Sequence, residues 1–227
     1  AEVTSKEVLA TGVDWAFAPN LAVARDYHWG RNYESYAEDP NLVTLYAKKM
    51  IETLQGKLNQ DNILACAKHW VGDGGTQYGV DQGDTILSLE ELQATHIQPY
   101  KAAIKAGVLS IMVSFSSWNG DKCHAHKFLL VDILKQKMEF DGIVISDMQG
   151  IDYLEDDFYL AVAQGVNAGI DMFMVPRNWQ LFIENLLSHV ELGTVSISRI
   201  DEAVRRILSV KCAFGLFDKP RPALRKW

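Results

Sequence analysis

The sequence predicts an α/β fold of the (β/α)8 barrel type, and three observations carry that expectation. First, strand-like and helix-like segments alternate along all 227 residues. Second, the strand-like segments are continuously apolar rather than alternating, as parallel strands are when helices bury both of their faces. Third, the segment after each strand is polar, aromatic and glycine-rich, whereas the returns from helix to strand are short and plain. A barrel builds its site from the loops at the carboxyl ends of its strands and shows this asymmetry. A doubly wound sheet shows it too, but no G-x-G-x-x-G follows a strand, which counts against dinucleotide binding.

The chain opens in a helix with a Thr4/Glu7 capping-box pattern and a stop at Gly12. No signal-peptide pattern precedes it, so the opening reads as part of a longer or processed chain. "VDWAFAP" (13–19) is a strand closed by Pro19. Residues 39–56 form a helix capped by Asp39, with Pro40 in its first turn and Gly56 as its stop. Leu42, Leu45, Tyr46, Met50 and Leu54 share one face of it. "ILACA" (63–67) is the second strand. Residues 88–107 form a helix with a Ser88/Glu91 capping box, a Gly107 stop and a Pro99 placed to kink it. Strands at 108–114, 142–146 and 170–175 follow, with helices over 127–138, 157–168 and 178–191. A last helix, 198–215, is capped by Ser198 and stopped by Gly215.

Composition narrows the function. At 48% hydrophobic and 22% charged the chain is ordinary globular material, able to bury a core without staples. A net charge of −7 and the absence of a basic run disfavour nucleic acid and anionic membrane as partners. No stretch approaches the roughly 20 apolar residues of a membrane span. The three cysteines, Cys66, Cys123 and Cys212, are odd in number and widely spaced, so they are no disulfide scaffold. Cys66 reads as a small buried hydrophobe.

Chemistry gathers at the strand ends. "GIVISDMQG" (142–150) runs from a buried strand straight into Asp147, where a barrel places functional groups and where a helix cap or loop ion pair would also fit. Lys68 and His69 end the second strand within "KHWVGDGGT". That loop lacks the P-loop pattern, so its glycines serve an unusual turn rather than a phosphate. "CHAH" (123–126) has no partner cluster and reads as a surface loop, not a metal site. His96 and His189 fall in helices and read as structural. Trp29, Trp70 and Trp118 all follow strands; the last two read as core packing.

Four motifs in order, "RDYHWGRNYESYAEDP", "ACAKHWVGDGGT", "SFSSWNG" and "GIVISDMQGID", resemble the barrel domain of glycoside hydrolase family 3. The resemblance covers about residues 10–220 and is nearest the exo-acting β-glucosidase and β-glucan glucohydrolase branch. It implies a retaining enzyme that releases glucose from non-reducing ends of β-glucosides or β-glucans, with no metal or organic cofactor. Asp147 matches the nucleophile. Lys68, His69 and Arg31 match groups that bind sugar hydroxyls, with Glu34 orienting Arg31 and with Arg25 and Asp26 bracing the same loop. Met148 stands where plant relatives have the Trp that flanks the leaving-group subsite, Gln149 where they have Glu, and Phe115 where they have Tyr. Asp73 stands where the N-acetylglucosaminidase branch has its catalytic His, which disfavours that branch.

The same resemblance implies an incomplete barrel. The family barrel has further βα units before the stretch matching Ala1, and the general acid of this branch lies in a following α/β sandwich domain. Residues 1–227 are therefore expected to be part of a barrel domain, with the general acid outside it. The expected partners are a β-glucoside or β-glucan oligosaccharide, the remaining segments of a parent protein, or a second copy of the chain. The alternative is a catalytically incomplete sugar-binding barrel piece. The resemblance suggests a periplasmic or secreted parent.

Overall fold

The computed structural model describes residues 1–58, 62–220 and 222; part of the plain return before the second strand, residues 59–61, lies outside them. Short-range hydrogen bonds set most helix ends. Helix α1 (Glu2–Ala10) already closes its first bond from Ser5 N to Ala1 O, so Thr4 and Glu7 lie inside the helix and form no capping box. Helix α2 (Pro40–Leu54) is capped by Asp39, whose side chain accepts from Asn41 N at 2.8 Å. Its buried stripe is Val43, Ala47, Ile51 and Leu54, not the stripe through Leu42 and Leu45; Leu45 is 64% exposed. Both stripes have helical spacing. Small Ala47 allows close approach to the next helical layer, while Tyr46 is stacked on Tyr36 of the preceding loop at 4.5 Å.

Helix α3 (Leu89–Leu92) has both bonds of the Ser88/Glu91 capping box. It continues through a π turn, Gln93–Ile97, into α4 (Gln98–Lys105), with buried Pro99 in the first turn. Proline has no N–H to give to the preceding turn, and the wider π turn absorbs that loss without breaking the helix. The helix expected over 127–138 is a π-helix, Phe128–Lys137. Helix α5 (Phe158–Ala168) is capped by Asp157 and ends at Gly169 with φ +110°. Helix α6 is Trp179–Glu191. Helix α7 (Ile197–Ala213) is capped by Ser196, whose Oγ accepts from Arg199 N at 3.2 Å. Ser198 lies inside the helix and bonds Ser196 Oγ instead, because Ser196 is the residue with extended backbone before the first turn.

Strands β1 (Trp15–Ala16) and β2 (Leu64–Ala65) pair in parallel; beyond Cys66, β2 continues as β3 (Ala67–Trp70). A small sheet of β4 (Asp84–Thr85), β6 (Ser117–Trp118) and β7 (Asp121–Lys122) is made by the loops after β3 and after β5 (Ser110–Val113). With β8 (Ile143–Met148) and β9 (Met172–Met174), the main sheet runs β3-β5-β8-β9, all parallel. The parallel strands thus stand in chain order. A doubly wound sheet reverses that order at a switch point; the described strands do not, and they form a barrel wall.

Both strand faces are buried. Ile111, Val113 and Val144 pack under the outer helices. Leu64, Cys66, Met112, Ile143 and Ile145 face the other way and are closed by Val210 of α7 and by Phe214, which follows it. Among the described residues no helix is long and apolar enough to cross a membrane.

Helix α7 crosses the amino ends of the strands. Arg206 Nη1 donates to Phe140 O at 2.7 Å and Gly142 O at 3.2 Å, and Arg199 donates to Ile170 O at 3.0 Å. Asp171, its side chain fully buried, holds this end together. It accepts from Lys135 Nζ at 2.7 Å, from Val144 N at 3.0 Å and from the Arg199 guanidinium. Glu202 joins the same network through Lys135, Arg199 and Arg206. Burial pulls the Lys135 ammonium below its usual range, an effect that Asp171 opposes. Asp171→Ala leaves two buried cations paired only with the part-exposed Glu202 and should lower unfolding free energy by about 3–5 kcal/mol. Urea unfolding measures it; an unchanged midpoint would show that the network contributes no clamp.

Candidate functional site

Because the strands are parallel, β3, β5 and β8 deliver their carboxyl ends to one rim. Asp147 follows the buried run Ile143–Ser146, and its side chain is 17% exposed. Oδ1 accepts from Met148 N at 2.7 Å. Oδ2 lies 3.7 Å from His69 Nε2, beyond hydrogen-bond reach, so that oxygen faces the rim without a close donor.

His69 is buried at the end of β3, and its peptide with Lys68 is cis. Its Nδ1 lies 2.9 Å from Asp73 Oδ2. An ionised carboxylate only accepts, so Nδ1 carries the proton and Nε2 is left facing Asp147. Lys68 is half-buried and bridges to Asn20 through the backbone. Its positive charge helps depress Glu34.

Glu34 is gripped on both oxygens. Arg31 Nε and Nη2 donate to it at 2.8 Å each, and Asn20 Nδ2 donates at 3.0 Å. The Arg31 hydrogen bonds, opposed by partial burial and helped by Asn20, pull the Glu34 carboxyl down to about 2. The fork is therefore a charge-assisted bidentate pair. Arg25 donates to Glu38 O at 2.8 Å and Asp26 accepts from His28 N at 2.8 Å, both within the same loop. Met148 is 58% exposed beside Asp147. Phe115 lies between the rings of His124 and Tyr153.

The structure overturns one expectation here. The "CHAH" segment is no surface loop: Cys123 and His124 are both buried, His124 to 1% exposure. Nε2 of His124 accepts the backbone N–H of Asp147 at 3.0 Å. Burial drives this imidazole down to about 3, so it is neutral. A Cβ on Gly150 would stand 2.2 Å from Nε2, which explains the glycine three residues after Asp147. That glycine was the one visible signal, and it names no partner. His96 repeats the pattern against Gly75, whose Cβ would stand 2.4 Å from its Nε2; burial lowers His96 to about 4.

The tryptophans belong to packing. Trp70 is fully buried edge-on to Tyr100, Trp29 is buried with Nε1 on Asp81, and Trp118 donates to Leu87 O. A groove of about 400 Å³ on the outer wall, lined by Ile97, Ile104, Ile133 and Lys101 among others, shares no residue with the rim. Among the described residues no group of three or more His, Cys, Asp and Glu is placed to hold a metal ion.

A parallel barrel wall with a carboxylate at one strand end, ringed by paired cations and acids, is the arrangement of a glycoside hydrolase barrel. Residues 1–210 match the glycosyl hydrolase family 3 N terminal domain, and the chain belongs to that family. A β-xylosidase of Formosa agariphila is 36% identical over 97% of this chain and 33% of its own length. The exo-1,3/1,4-β-glucanase of a Pseudoalteromonas species superposes with a TM-score of 0.95 at 45% identity, covering 99% of this chain and 29% of that one. A β-glucosidase from Listeria innocua superposes at 0.92 and 33% identity, with 99% and 32% covered, and a variant of it has been solved with laminaribiose. The chain thus spans about a third of the length of these proteins.

The buried His124 and His96 set a pH dependence. Their folded values, about 3 and about 4, lie below the ordinary 6.5. The unfolded chain therefore takes up protons first as pH falls, and stability drops from about pH 6.5 downward, by about 1.4 kcal/mol per unit for each histidine. Above pH 6.5 this contribution is fully present. Unfolding free energies of wild type and His124→Gln measured between these limits should show a shallower slope in the variant; equal slopes would mean His124 is not buried neutral.

Proposed function

We propose that this chain carries the nucleophile and sugar-binding face of a retaining, exo-acting β-glucosidase or β-glucanase. It releases glucose from non-reducing ends through a glycosyl–Asp147 intermediate. The observation that carries the reading is the asymmetry of Asp147: Oδ1 is tied to the Met148 N–H, while Oδ2 points into the rim with no close donor.

In the first step Oδ2 bonds to the anomeric carbon as the glycosidic C–O bond breaks, and a general acid protonates the departing oxygen. In the second, the same group, now a base, takes a proton from water as its oxygen attacks the same carbon and frees Asp147. Lys68 and Arg31 donate to sugar hydroxyls, and Nε2 of His69 accepts from one. Asp73 holds His69 by Nδ1 and Glu34 holds Arg31 by Nε and Nη2, so both side chains are oriented before the sugar arrives. Those bonds commit both acids, which supports assigning the general acid outside this chain. The relatives' names span glucosidase, xylosidase and exo-glucanase, and the glucose assignment rests on the sequence branch.

The second reading, a sugar-binding piece without turnover of its own, rests on the same commitment of Asp73 and Glu34. Residues 1–227 alone should then leave cellobiose intact yet be labelled at Asp147 by a 2-fluoro glucoside with a good leaving group; turnover of cellobiose would place the acid within this chain. General acid help is worth roughly 10²–10⁴, and an activated aryl leaving group needs it least.

In the native protein, Asp147→Asn should abolish hydrolysis of nitrophenyl β-glucoside and β-xyloside alike with the fold intact. Wild-type rates would remove Asp147 from the chemistry. Lys68→Ala and His69→Ala should each cost about 1.5–3 kcal/mol in kcat/KM, as charge-assisted or buried substrate bonds do. A fall in melting temperature with kcat/KM unchanged would make both structural. Met148→Trp should reorder the hydrolysis of β-linked disaccharides and leave inhibition by glucose unchanged, since it adds a flat wall beside the leaving group. An unchanged ranking would turn residue 148 away from the substrate.

A further inference from the structure

Strands β5 and β8 pair through Ser110↔Ile143, Ile111↔Val144 and Met112↔Ile145. Two residues further along each strand, at the rim, stand Ser114 and Asp147. The imidazole of His124 bonds to both. Its Nε2 accepts from Asp147 N at 3.0 Å, and its other nitrogen bonds the Ser114 backbone. Ser114 N in turn donates to Trp70 O at 2.6 Å, one residue beyond His69.

We propose that His124 is a positioning residue for Asp147, a side-chain rung that continues the β5–β8 ladder to the rim and sets where the Asp147 carboxylate sits relative to His69. The proposal rests on the reading of Asp147 as nucleophile. A continuous string of bonds runs from Trp70 through Ser114 and His124 to Asp147, so the rim ends of β3, β5 and β8 are locked to one another. Because Oδ1 is bound by the very next backbone N–H, the carboxylate plane follows the local peptide. Displacing that peptide displaces Oδ2 from the sugar.

Only a neutral imidazole does this. The rung needs an acceptor at Nε2 and a donor at Nδ1, which one tautomer supplies together. An imidazolium would present N–H to N–H. The site excludes that form by geometry: the ring is 1% exposed, lies beside Phe115 at 5.7 Å, and fills the space that Gly150 leaves open. The positive charge of Lys122 opposes protonation as well.

The experiment compares four variants of the native protein on nitrophenyl β-glucoside. His124→Phe keeps an aromatic ring and removes the rung. Gly150→Ala keeps the histidine and pushes its ring off Asp147. His124→Gln restores an acceptor, and Asp147→Asn tests the underlying reading. A misplacement near 1 Å costs roughly 100-fold, so His124→Phe and Gly150→Ala should lose about that factor in kcat with KM nearly unchanged. His124→Gln should recover most of kcat. Wild-type kcat in folded His124→Phe or Gly150→Ala, with Asp147→Asn dead, overturns the positioning role and leaves the nucleophile standing. Equal losses in the Phe and Gln variants that track only the folded fraction reduce His124 to packing. An active Asp147→Asn removes the nucleophile reading, and this inference with it.

Discussion

One constraint governs the rest of this structure: β3, β5, β8 and β9 run parallel and pair in chain order. Parallel pairing sends every carboxyl end to the same rim. That alone brings Lys68 and His69, Ser114 and Asp147 together from segments far apart in the chain. Register is held because both faces of β5 and of the Ile143–Ser146 run of β8 are buried. Met112 and Ile145 point to one side, Ile111 and Val144 to the other. A slip of one residue would exchange the two sets and turn Asp147 away from the rim.

The two ends of the wall do different work. At the amino end, Asp171 is a buried carboxylate saturated by Lys135, Arg199 and the Val144 N–H, and it joins α7 to the π-helix and to the starts of β8 and β9. Removing such charges from water is costly, so this network defines arrangement more than it adds net stability. At the carboxyl end the acids are unequally satisfied. Asp73 is committed to His69 and Glu34 to Arg31 and Asn20, while Asp147 keeps an oxygen facing open space. That inequality separates groups that orient from a group free to react, and it would be invisible in a count of carboxylates.

Two buried histidines, His96 and His124, each lie against a glycine that makes room for the ring, Gly75 and Gly150. The resemblance matters because a buried imidazole must stay neutral and needs close walls to exclude water. For His124 the ring is also satisfied at both nitrogens, whereas His96 Nε2 has no hydrogen-bond partner. The first of these environments holds strands in place; the second fills the π turn between α3 and α4.

Sequence by itself determined what short-range bonding and strand hydrophobicity can encode. The caps at Asp39 and Ser88 are contacts within three residues, and each could be read directly. Apolar runs named the strands, and a carboxylate at the end of one marked Asp147. Where two local patterns were equally good, sequence chose wrongly: Ser198 for Ser196, and the Leu42–Leu45 face of α2 for the Val43–Ala47 face. The tertiary structure decided which face of α2 is buried, because that choice depends on what packs opposite. It also decided that "CHAH" lies inside and that His124 meets Asp147 across 23 residues. The physical reason is distance along the chain: a cap is selected by residues it already touches, whereas a rung between β5 and β8 exists only once the two strands lie side by side.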